Sequence, residues 1–343
     1  MSIGRRAIGQ GSPCFVIAEA CDNHFGNLET AREMVRQAKA CGADAIKFQH
    51  HLPDEEMLKE NMPTSANFDI PLYEFLSRYA LTLEHHRELI EYCSDLDITY
   101  LCTPFSRKAA EELHDLGVPA FKIGSGELTD IPTLKIIAAF GKPMILSTGM
   151  STLEEIDETV HAVRQINEQF ALMNCTSEYP ARHRDVNLGV IRHLGDRYKV
   201  VVGHSDHTPD IHTCFAAVAL GAKLIEKHFI LDRRLPGPDQ SVSIEPYELN
   251  QLVQGIRRIE EALGDEKTIH DLEAPIRAWA RRSVVSLVDI PEGASIRPEM
   301  VWTKRPGTGI PAKHLEDVVS RRARRFIPAD HLITWDELDE HNR

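Results

Sequence analysis

The chain has 343 residues, of which 42% are hydrophobic and 27% are charged, a composition typical of a soluble globular protein. Its net charge of −13 at pH 7 argues against a nucleic-acid-binding protein, because such proteins carry a basic surface. A membrane-spanning helix is also excluded, since the sequence has no uninterrupted apolar run of about 18 residues.

The N-terminal segment, MSIGRRAIGQGSP, lacks the apolar core and the small-residue cleavage site of a secretory signal. The seven cysteines are scattered along the chain and form no CxxC pair. An odd, unpatterned set of cysteines in a chain without an export signal indicates reduced thiols and a cytoplasmic location.

Short apolar runs alternate with helix-patterned segments along most of the chain. The runs are nearly continuous in apolar residues, as expected of parallel strands that are covered on both faces. Eight such βα units predict a closed (β/α)8 TIM barrel, with a last helix near residues 245–263. A doubly wound open sheet is the alternative, which the absence of a GxGxxG motif after the first strand weakens. The predicted strands begin near Phe15, Asp44, Ile98, Pro119, Pro143, Phe170, Tyr198 and Lys223.

The connection between the second and third predicted strands is unusually long, and its front part, residues 50–69, is irregular. A long loop after a barrel strand lies at the carboxyl-terminal mouth of the barrel, where such loops build binding sites. Asn67 lies in this loop, although an asparagine there is most often a local turn-former.

The pattern changes after Gly264, which predicts a second domain. Residues 265–282 are polar and indicate a linker between a barrel domain, residues 1–264, and a small β-rich domain, residues 283–343. The small domain contains the tight turn KRPGTGI, which displays Arg305. A domain of about 60 residues is marginally stable alone, so we expect it to pack on its own barrel or on a neighbouring chain.

Polar and charged residues end nearly every predicted strand. A purely structural barrel does not need them, and their burial without partners is unfavourable. Barrel enzymes assemble their active sites at these strand ends, so the sequence predicts a functional site there. The residues that carry this prediction are Glu19, Lys47, Thr103, Lys122, Ser125, Glu127, Ser177, Tyr179, Ser205, His207, Glu226 and His228.

Two histidines end neighbouring strands, in the motifs GHSDHT and EKHF. His207 and His228 therefore face one cavity and could form part of a divalent metal site, with a satisfied structural histidine as the alternative. Side chains alternate along a strand, so only one of His204 and His207 can point inward. Asp206 is expected to fix an imidazole tautomer beside the metal.

Two lysines, Lys47 and Lys122, end apolar runs on the second and fourth strands. With nearby hydroxyl groups they predict a pocket for a carboxylate or a phosphate. Glu19 and Glu127 lie near these cations and could act as acid, base or water-positioning groups. The hydroxyl groups belong to Thr103, Ser125, Ser177 and Ser205.

An ordered series of motifs makes the chain resemble the sialic acid synthase family, which comprises N-acetylneuraminate synthase and its legionaminic and pseudaminic acid relatives. The resemblance covers nearly the whole chain, and the segment from Ser283 resembles that family's antifreeze-like (SAF) domain. The motifs are IAEACDNHFGN, GADAIKFQ, TPFS, FKIGSGE, STGMS, CTSEYP, GHSDHT, EKHF, PGPD and KRPGTGI.

The resemblance implies a TIM barrel followed by an antifreeze-like domain, in a domain-swapped homodimer. It implies the condensation of phosphoenolpyruvate with an N-acetylmannosamine-type acylamino sugar and water, which gives a nonulosonic acid and phosphate. It also implies a divalent metal ion, Mn²⁺ or in its place Mg²⁺ or Co²⁺.

By position, the resemblance also implies a role for individual residues. Glu19 would handle protons or position the attacking water, Glu127 would lie near the reacting carbons, and Lys47 completes this catalytic set. The phosphoenolpyruvate contacts would be Lys47 and Thr103 for the carboxylate, and Lys122, Ser125, Ser177 and Ser205 for the phosphate. The metal ligands would be His207 and His228. The sugar contacts would be Asn67, Tyr179, Asp239 and, from the partner's antifreeze-like domain, Arg305.

Several residues depart from the family pattern near the expected sugar site. Ser177 stands where some members carry asparagine, and Cys21 and Asp22 replace commoner small apolar residues. His50 and His51 lie on the sugar side as well. The sequence therefore leaves open whether the sugar is N-acetylmannosamine or a 2,4-diacetamido-trideoxyhexose, as in legionaminic and pseudaminic acid synthases.

Two other functions remain as alternatives. A metal-dependent hydrolase on the same barrel would need more carboxylate or histidine ligands, and the two-lysine anion pocket argues against it. A non-catalytic sugar or anion binder would be expected to have lost Glu19, Lys47 or a metal histidine, and the chain retains them.

Overall fold

The computed structural model describes residues 1–60, 70–235 and 237–340. The chain divides into two compact units, Met1–Gly264 and Asp265–Arg343. The predicted sugar contact Asn67 lies outside the described residues.

A short antiparallel hairpin opens the chain, formed by β1 (Ser2–Ile3) and β2 (Arg6–Ala7). Ile3 in this hairpin and Ile8 directly after it are buried in the same apolar cluster as Phe15, which begins the next strand. The hairpin therefore covers the amino-terminal end of the strands that follow.

Eight parallel strands form a closed barrel in which neighbours in the chain pair with each other and the last pairs with the first. This confirms the predicted (β/α)8 barrel and excludes the open doubly wound sheet. The seventh strand begins later than predicted, because Tyr198 ends a helix and Lys199 adopts a left-handed conformation with φ of 53°. The strands are β3 (Phe15–Glu19), β4 (Ala45–His50), β5 (Thr99–Pro104), β6 (Phe121–Ile123), β7 (Met144–Ser147), β8 (Phe170–Cys175), β9 (Val201–Asp206) and β10 (Leu224–His228).

The side-chain alternation of the strands places polar groups directly above the apolar interior of the barrel. Apolar residues fill the amino-terminal half of the interior. Because successive side chains point to opposite faces, the residue two positions further along faces the same interior, one layer higher. The pairs related in this way are Ile17 and Glu19, Ala45 and Lys47, Leu101 and Thr103, Ala120 and Lys122, Ile145 and Ser147, and Leu224 and Glu226.

Amphipathic helices surround the barrel and pack their apolar faces on the outside of the strands. One of these helices begins with a capping box, in which Thr152 and Glu155 form reciprocal hydrogen bonds. Within the described parts of the chain, no helix is both long enough and apolar enough to cross a membrane. The helices of this unit are α1 (Leu28–Ala40), α2 (Pro53–Glu56), α3 (Leu72–Tyr79), α4 (Leu83–Asp95), α5 (Arg107–Asp115), α6 (Ile131–Ala139), α7 (Leu153–Arg164), α8 (Val190–Tyr198), α9 (His212–Ala219) and α10 (Pro246–Ala262).

The second unit begins with α11 (Glu273–Ala280), which lies within the segment expected to be a linker. The remainder is built from an antiparallel pair, β11 (Ser283–Ser286) and β12 (Val301–Lys304), together with turns and a short helix, α12 (Leu315–Val318). It has an apolar core of its own, in which Val284 and Ile327 are fully buried.

Candidate active site

A cavity of about 340 Å³ opens at the carboxyl-terminal ends of the barrel strands. Most of the site residues predicted from the sequence lie around it, so the strand ends converge as expected. The lining residues include Glu19, Lys47, Thr103, Lys122, Ser125, Glu127, Ser147, Cys175, Ser177, Tyr179, Ser205, His207, Glu226 and His228.

Two buried lysines form the floor of this cavity. The Lys47 ammonium lies 2.8 Å from the Glu19 carboxylate and donates a hydrogen bond to the Thr103 hydroxyl at 2.9 Å. The Lys122 ammonium donates to the Ser147 hydroxyl at 2.7 Å. Both lysines are at most 3% exposed, so their charges depend on these partners rather than on water.

A second carboxylate, Glu226, lies between the two lysines. One of its oxygens is 3.7 Å from the Lys47 ammonium and 3.5 Å from the Lys122 ammonium, and it accepts a hydrogen bond from Ser205 at 3.1 Å. The sequence placed Glu226 at a strand end but gave it no role. One sequence feature could have indicated a role for it: this acidic residue stands two positions before His228 on the same strand, so both side chains face the barrel interior.

The two carboxylates have opposite tendencies to hold a proton. Burial raises the pKa of Glu19 above its ordinary value, and the nearby Lys47 only partly opposes this. Burial alone would also raise the pKa of Glu226, but Lys122 and Lys47 together hold it below its ordinary value. Glu226 is therefore a permanent counter-charge, whereas Glu19 is suited to exchanging a proton.

Two serine hydroxyls converge at the side of the cavity because glycine stands opposite them. The Ser125 hydroxyl accepts a hydrogen bond from the backbone N–H of Gly149 at 3.1 Å. A Cβ at position 149 would lie 2.7 Å from the Ser125 oxygen and would overlap the Ser177 oxygen. Gly149 thus permits both hydroxyls to approach the same place, where an anion could accept from them.

Glu127 lies at the cavity rim, where burial raises its pKa. Its carboxylate packs against Gly124 so closely that a Cβ at position 124 would overlap it. Gly124, the first glycine of the GSGE motif, therefore lets this carboxylate approach the backbone.

The two predicted metal histidines lie side by side, with ring centres 5.1 Å apart. The Nδ1–H of His207 donates to the carbonyl of Thr176 at 2.7 Å, so in the neutral ring Nε2 is the nitrogen that would face a metal. Burial, with His207 nearby, holds the pKa of His228 well below its ordinary value, so this ring is neutral. Tyr179 packs against His207, with ring centres 4.2 Å apart.

Asp239 adds a carboxylate beside these rings, 3.4 Å from Nδ1 of His228. The Cys21 thiol donates to the same carboxylate at 2.6 Å. Nitrogen, oxygen and sulfur atoms of Cys21, His228 and Asp239 thus lie within 4.8 Å of one another, a spacing that suits a metal ion. The donor set of imidazole and carboxylate fits the divalent ion expected from the sequence.

The expected role of Asp206 is wrong. Its carboxylate lies 3.2 Å from Nε2 of His204 and accepts a hydrogen bond from Lys227 at 2.6 Å. Asp206 and His204 occupy alternate positions of β9 and face away from the cavity, whereas Ser205 faces it. The tautomer of His207 is instead fixed by a backbone carbonyl.

A buried polar chain extends from Glu19 toward the long loop, and the sequence did not predict it. Gln49 donates to Glu19 at 3.0 Å, and its amide oxygen lies 3.0 Å from Nε2 of His51. Nδ1 of His51 faces Glu56 at 3.0 Å, and Asp22 lies 3.5 Å from the ring. The unusual Asp22 and His51 therefore lie next to each other, and Gln49 connects His51 to the cavity.

Arg305 belongs to the second unit, where its guanidinium lies 5.2 Å from the ring centre of Trp279. Its expected contact with a sugar stays a prediction, as does that of Asn67.

Comparisons with known proteins agree with this site and fold. Residues 34–268 match the model of the NeuB family, and residues 281–339 match that of the SAF domain. The chain is 39% identical over 351 residues to N,N'-diacetyllegionaminic acid synthase of Legionella pneumophila, with 98% of each chain covered. It is 34% identical over 345 residues to N-acetylneuraminate-9-phosphate synthase of Homo sapiens, with 98% of this chain and 96% of that protein covered.

A solved structure of N-acetylneuraminic acid synthetase from Leptospira borgpetersenii, in complex with citrate, is similar with a TM-score of 0.73 and 33% identity. That match covers 80% of this chain and 94% of the other.

Proposed function

The chain belongs to the NeuB family and carries a C-terminal SAF domain, and on this premise we propose that it is a nonulosonic acid synthase. The proposed reaction joins phosphoenolpyruvate to an N-acetylmannosamine-type aldose and consumes one water. Its products are a sialic acid or a related nonulosonic acid, and phosphate. The observation that carries the proposal is a cavity in which two buried lysines and several hydroxyls adjoin a pair of histidines.

Phosphoenolpyruvate would bind across the cavity floor. Lys47 and Thr103 are already joined by a hydrogen bond and would share its carboxylate. Lys122 would hold its phosphate with three serine hydroxyls. Buried ammonium groups favour such a multiply charged anion inside a protein of net charge −13, which would otherwise repel it. The three hydroxyls belong to Ser125, Ser177 and Ser205.

Glu19 and Glu127 would lie beside the reacting carbons and take part in the reaction there. The enol carbon of phosphoenolpyruvate attacks the sugar aldehyde, and water then adds to the resulting cationic carbon. Because its pKa is raised, the Glu19 carboxylate can take a proton from that water. The Lys47 ammonium lies beside Glu19 and can stabilise the charge that develops in this step. Collapse of the tetrahedral intermediate expels phosphate toward Lys122.

His207 and His228 would hold a divalent ion, for which we propose Mn²⁺, with Mg²⁺ or Co²⁺ in its place. A divalent ion there would make the sugar aldehyde more electrophilic. The hydrogen bond at Nδ1 of His207 orients this ring, and the ring of His228 is neutral, so each histidine can offer a nitrogen lone pair to the ion.

The sugar would lie beside Tyr179 and Asp239, with Asn67 on the long loop. Arg305 would reach its acylamino group from a second copy of the chain, in a domain-swapped homodimer. We place the reaction in the cytoplasm.

The test is phosphate release by the purified, Mn²⁺-loaded protein. Phosphoenolpyruvate is supplied with N-acetylmannosamine, with its 6-phosphate, or with 2,4-diacetamido-2,4,6-trideoxymannose, in parallel reactions. We expect release to depend on one of these sugars, which identifies the substrate. Release that does not depend on any sugar would contradict the synthase and favour a hydrolase. Binding of phosphoenolpyruvate without turnover would favour the non-catalytic binder.

The contribution of a second chain is tested by mixing two inactive variants, Glu19→Gln and Arg305→Ala. In a swapped dimer, the chain with intact Glu19 receives Arg305 from the other copy, so subunit exchange should restore activity. Each variant incubated alone is the control. If the mixture regains no activity after exchange is verified, Arg305 does not act in trans.

A further inference from the structure

Cys21 lies where a metal ligand would be expected, although the proposed mechanism does not use it. It follows β3 and lies two residues beyond Glu19, which pairs in register with His228 on β10. The residue is 5% exposed. The backbone carries the thiol there in a left-handed conformation, with φ of 48°, which residues other than glycine seldom adopt.

The neighbouring His228 gives independent evidence for a ligand at this place. Its side chain is buried, and among the described residues its Nδ1 atom finds no hydrogen-bond partner. Other buried histidines also have a ring nitrogen without a hydrogen-bond partner, but the unpaired nitrogen of His228 lies beside a carboxylate and a thiol, which are themselves metal-ligating groups. Asp239 lies 3.4 Å away and also contacts the Cys21 thiol, so the three side chains surround a common point.

We propose that Cys21 is a thiolate ligand of the divalent metal, in addition to the proposed ligands His207 and His228, and that Asp239 contacts the metal as well as the sugar. On binding, the sulfur–metal bond replaces the S–H bond, and the proton passes through the Asp239 carboxylate to solvent. The thiolate shifts the preference of the site toward softer ions such as Zn²⁺ and Co²⁺ relative to Mn²⁺. This inference rests on the proposed metal centre but concerns a residue that departs from the family pattern.

X-ray absorption of the Zn²⁺-loaded full-length protein tests the ligand set without any substitution. We expect one sulfur scatterer at about 2.3 Å in addition to nitrogen and oxygen at about 2.0–2.2 Å. A shell of nitrogen and oxygen alone would overturn the inference and leave the metal centre intact. A chain that binds no metal would overturn both.

Substitutions then identify the sulfur, because Cys175 also lines the cavity, 3.9 Å from Nδ1 of His207. The Co²⁺-loaded protein should show a sulfur-to-cobalt charge-transfer band in the near ultraviolet. Cys21→Ser should abolish this band, whereas the matched variant Cys175→Ser should retain it. The opposite pattern would assign the sulfur to Cys175 and overturn the proposal.

Competition between metal ions measures the predicted selectivity. Removal of an outer partner of a metal ligand costs about 10–100-fold in affinity, so loss of a direct ligand in Cys21→Ser should weaken Zn²⁺ binding by at least about tenfold. The loss for Mn²⁺ should be smaller, because its affinity depends less on sulfur. Equal losses for both ions would contradict a thiolate ligand.

Discussion

Replacement of Glu226 by glutamine tests whether this carboxylate balances the buried lysines. Glu226→Gln keeps the size of the side chain and an acceptor for the Ser205 hydroxyl, but it removes the negative charge. Lys47 would keep Glu19 at 2.8 Å, whereas Lys122 would lose the carboxylate at 3.5 Å. One buried ammonium is therefore left without a counter-charge.

The expected cost follows from that single broken pair. Removal of one partner of a buried ion pair destabilises a protein by about 3–5 kcal/mol, since the remaining charge stays buried. For a unit of this size, roughly 2–4 °C of melting temperature corresponds to 1 kcal/mol, so the barrel transition should fall by roughly 6–20 °C. Phosphoenolpyruvate should recover part of this loss, because its phosphate supplies the missing negative charge.

The assay is thermal unfolding of the metal-free protein, followed by circular dichroism with and without phosphoenolpyruvate. Glu29→Gln is the matched control, since Glu29 forms an ion pair with Arg32 on the surface, with the Glu29 side chain 75% exposed. Such a surface pair contributes at most about 1 kcal/mol. If Glu226→Gln melts within a few degrees of Glu29→Gln, Glu226 does not act as the counter-charge.

The remaining predictions concern substrate and metal binding. Gly149→Ala should raise KM for phosphoenolpyruvate, because the added Cβ displaces the Ser177 hydroxyl. Gly126→Ala is the control, since a Cβ at position 126 has open space around it. Equal kinetics of the two variants would contradict the argument. Lys122→Met should weaken phosphoenolpyruvate binding by roughly 10–100-fold, since a hydrogen bond to a charged group contributes about 1.5–3 kcal/mol. Calorimetry that finds wild-type affinity would refute the role of Lys122 in phosphate binding. His228→Ala should lower the metal content by mass spectrometry and abolish turnover, and full turnover in chelator-stripped protein would be incompatible with it.

The barrel could be predicted from the sequence because its strands are buried on both faces and read as continuous apolar runs. The polar residues that end these runs then predicted that Glu19, Lys47 and Thr103 lie at the mouth of the barrel. The N-terminal hairpin was not predicted, since its two-residue strands are too short to produce a periodic pattern.

The contacts within the site were harder to predict, because they depend on distances between separate strands. Glu226 could be placed at a strand end, but only the structure shows that it lies between two lysines. Cys21 and Asp239 are far apart in the sequence, so their contact had no local signal. Asp206 was misassigned because a one-residue offset along a strand turns a side chain to the opposite face.

The origin of the oxygen in the released phosphate tests the central claim most directly. The reaction is run in ¹⁸O-labelled water with phosphoenolpyruvate and the sugar that supports turnover. A synthase adds water to carbon and expels phosphate with its original oxygen, so the phosphate should contain no ¹⁸O and the label should enter the sugar acid. Phosphate that carries one ¹⁸O atom would show attack of water at phosphorus, which is hydrolysis, and would contradict the account.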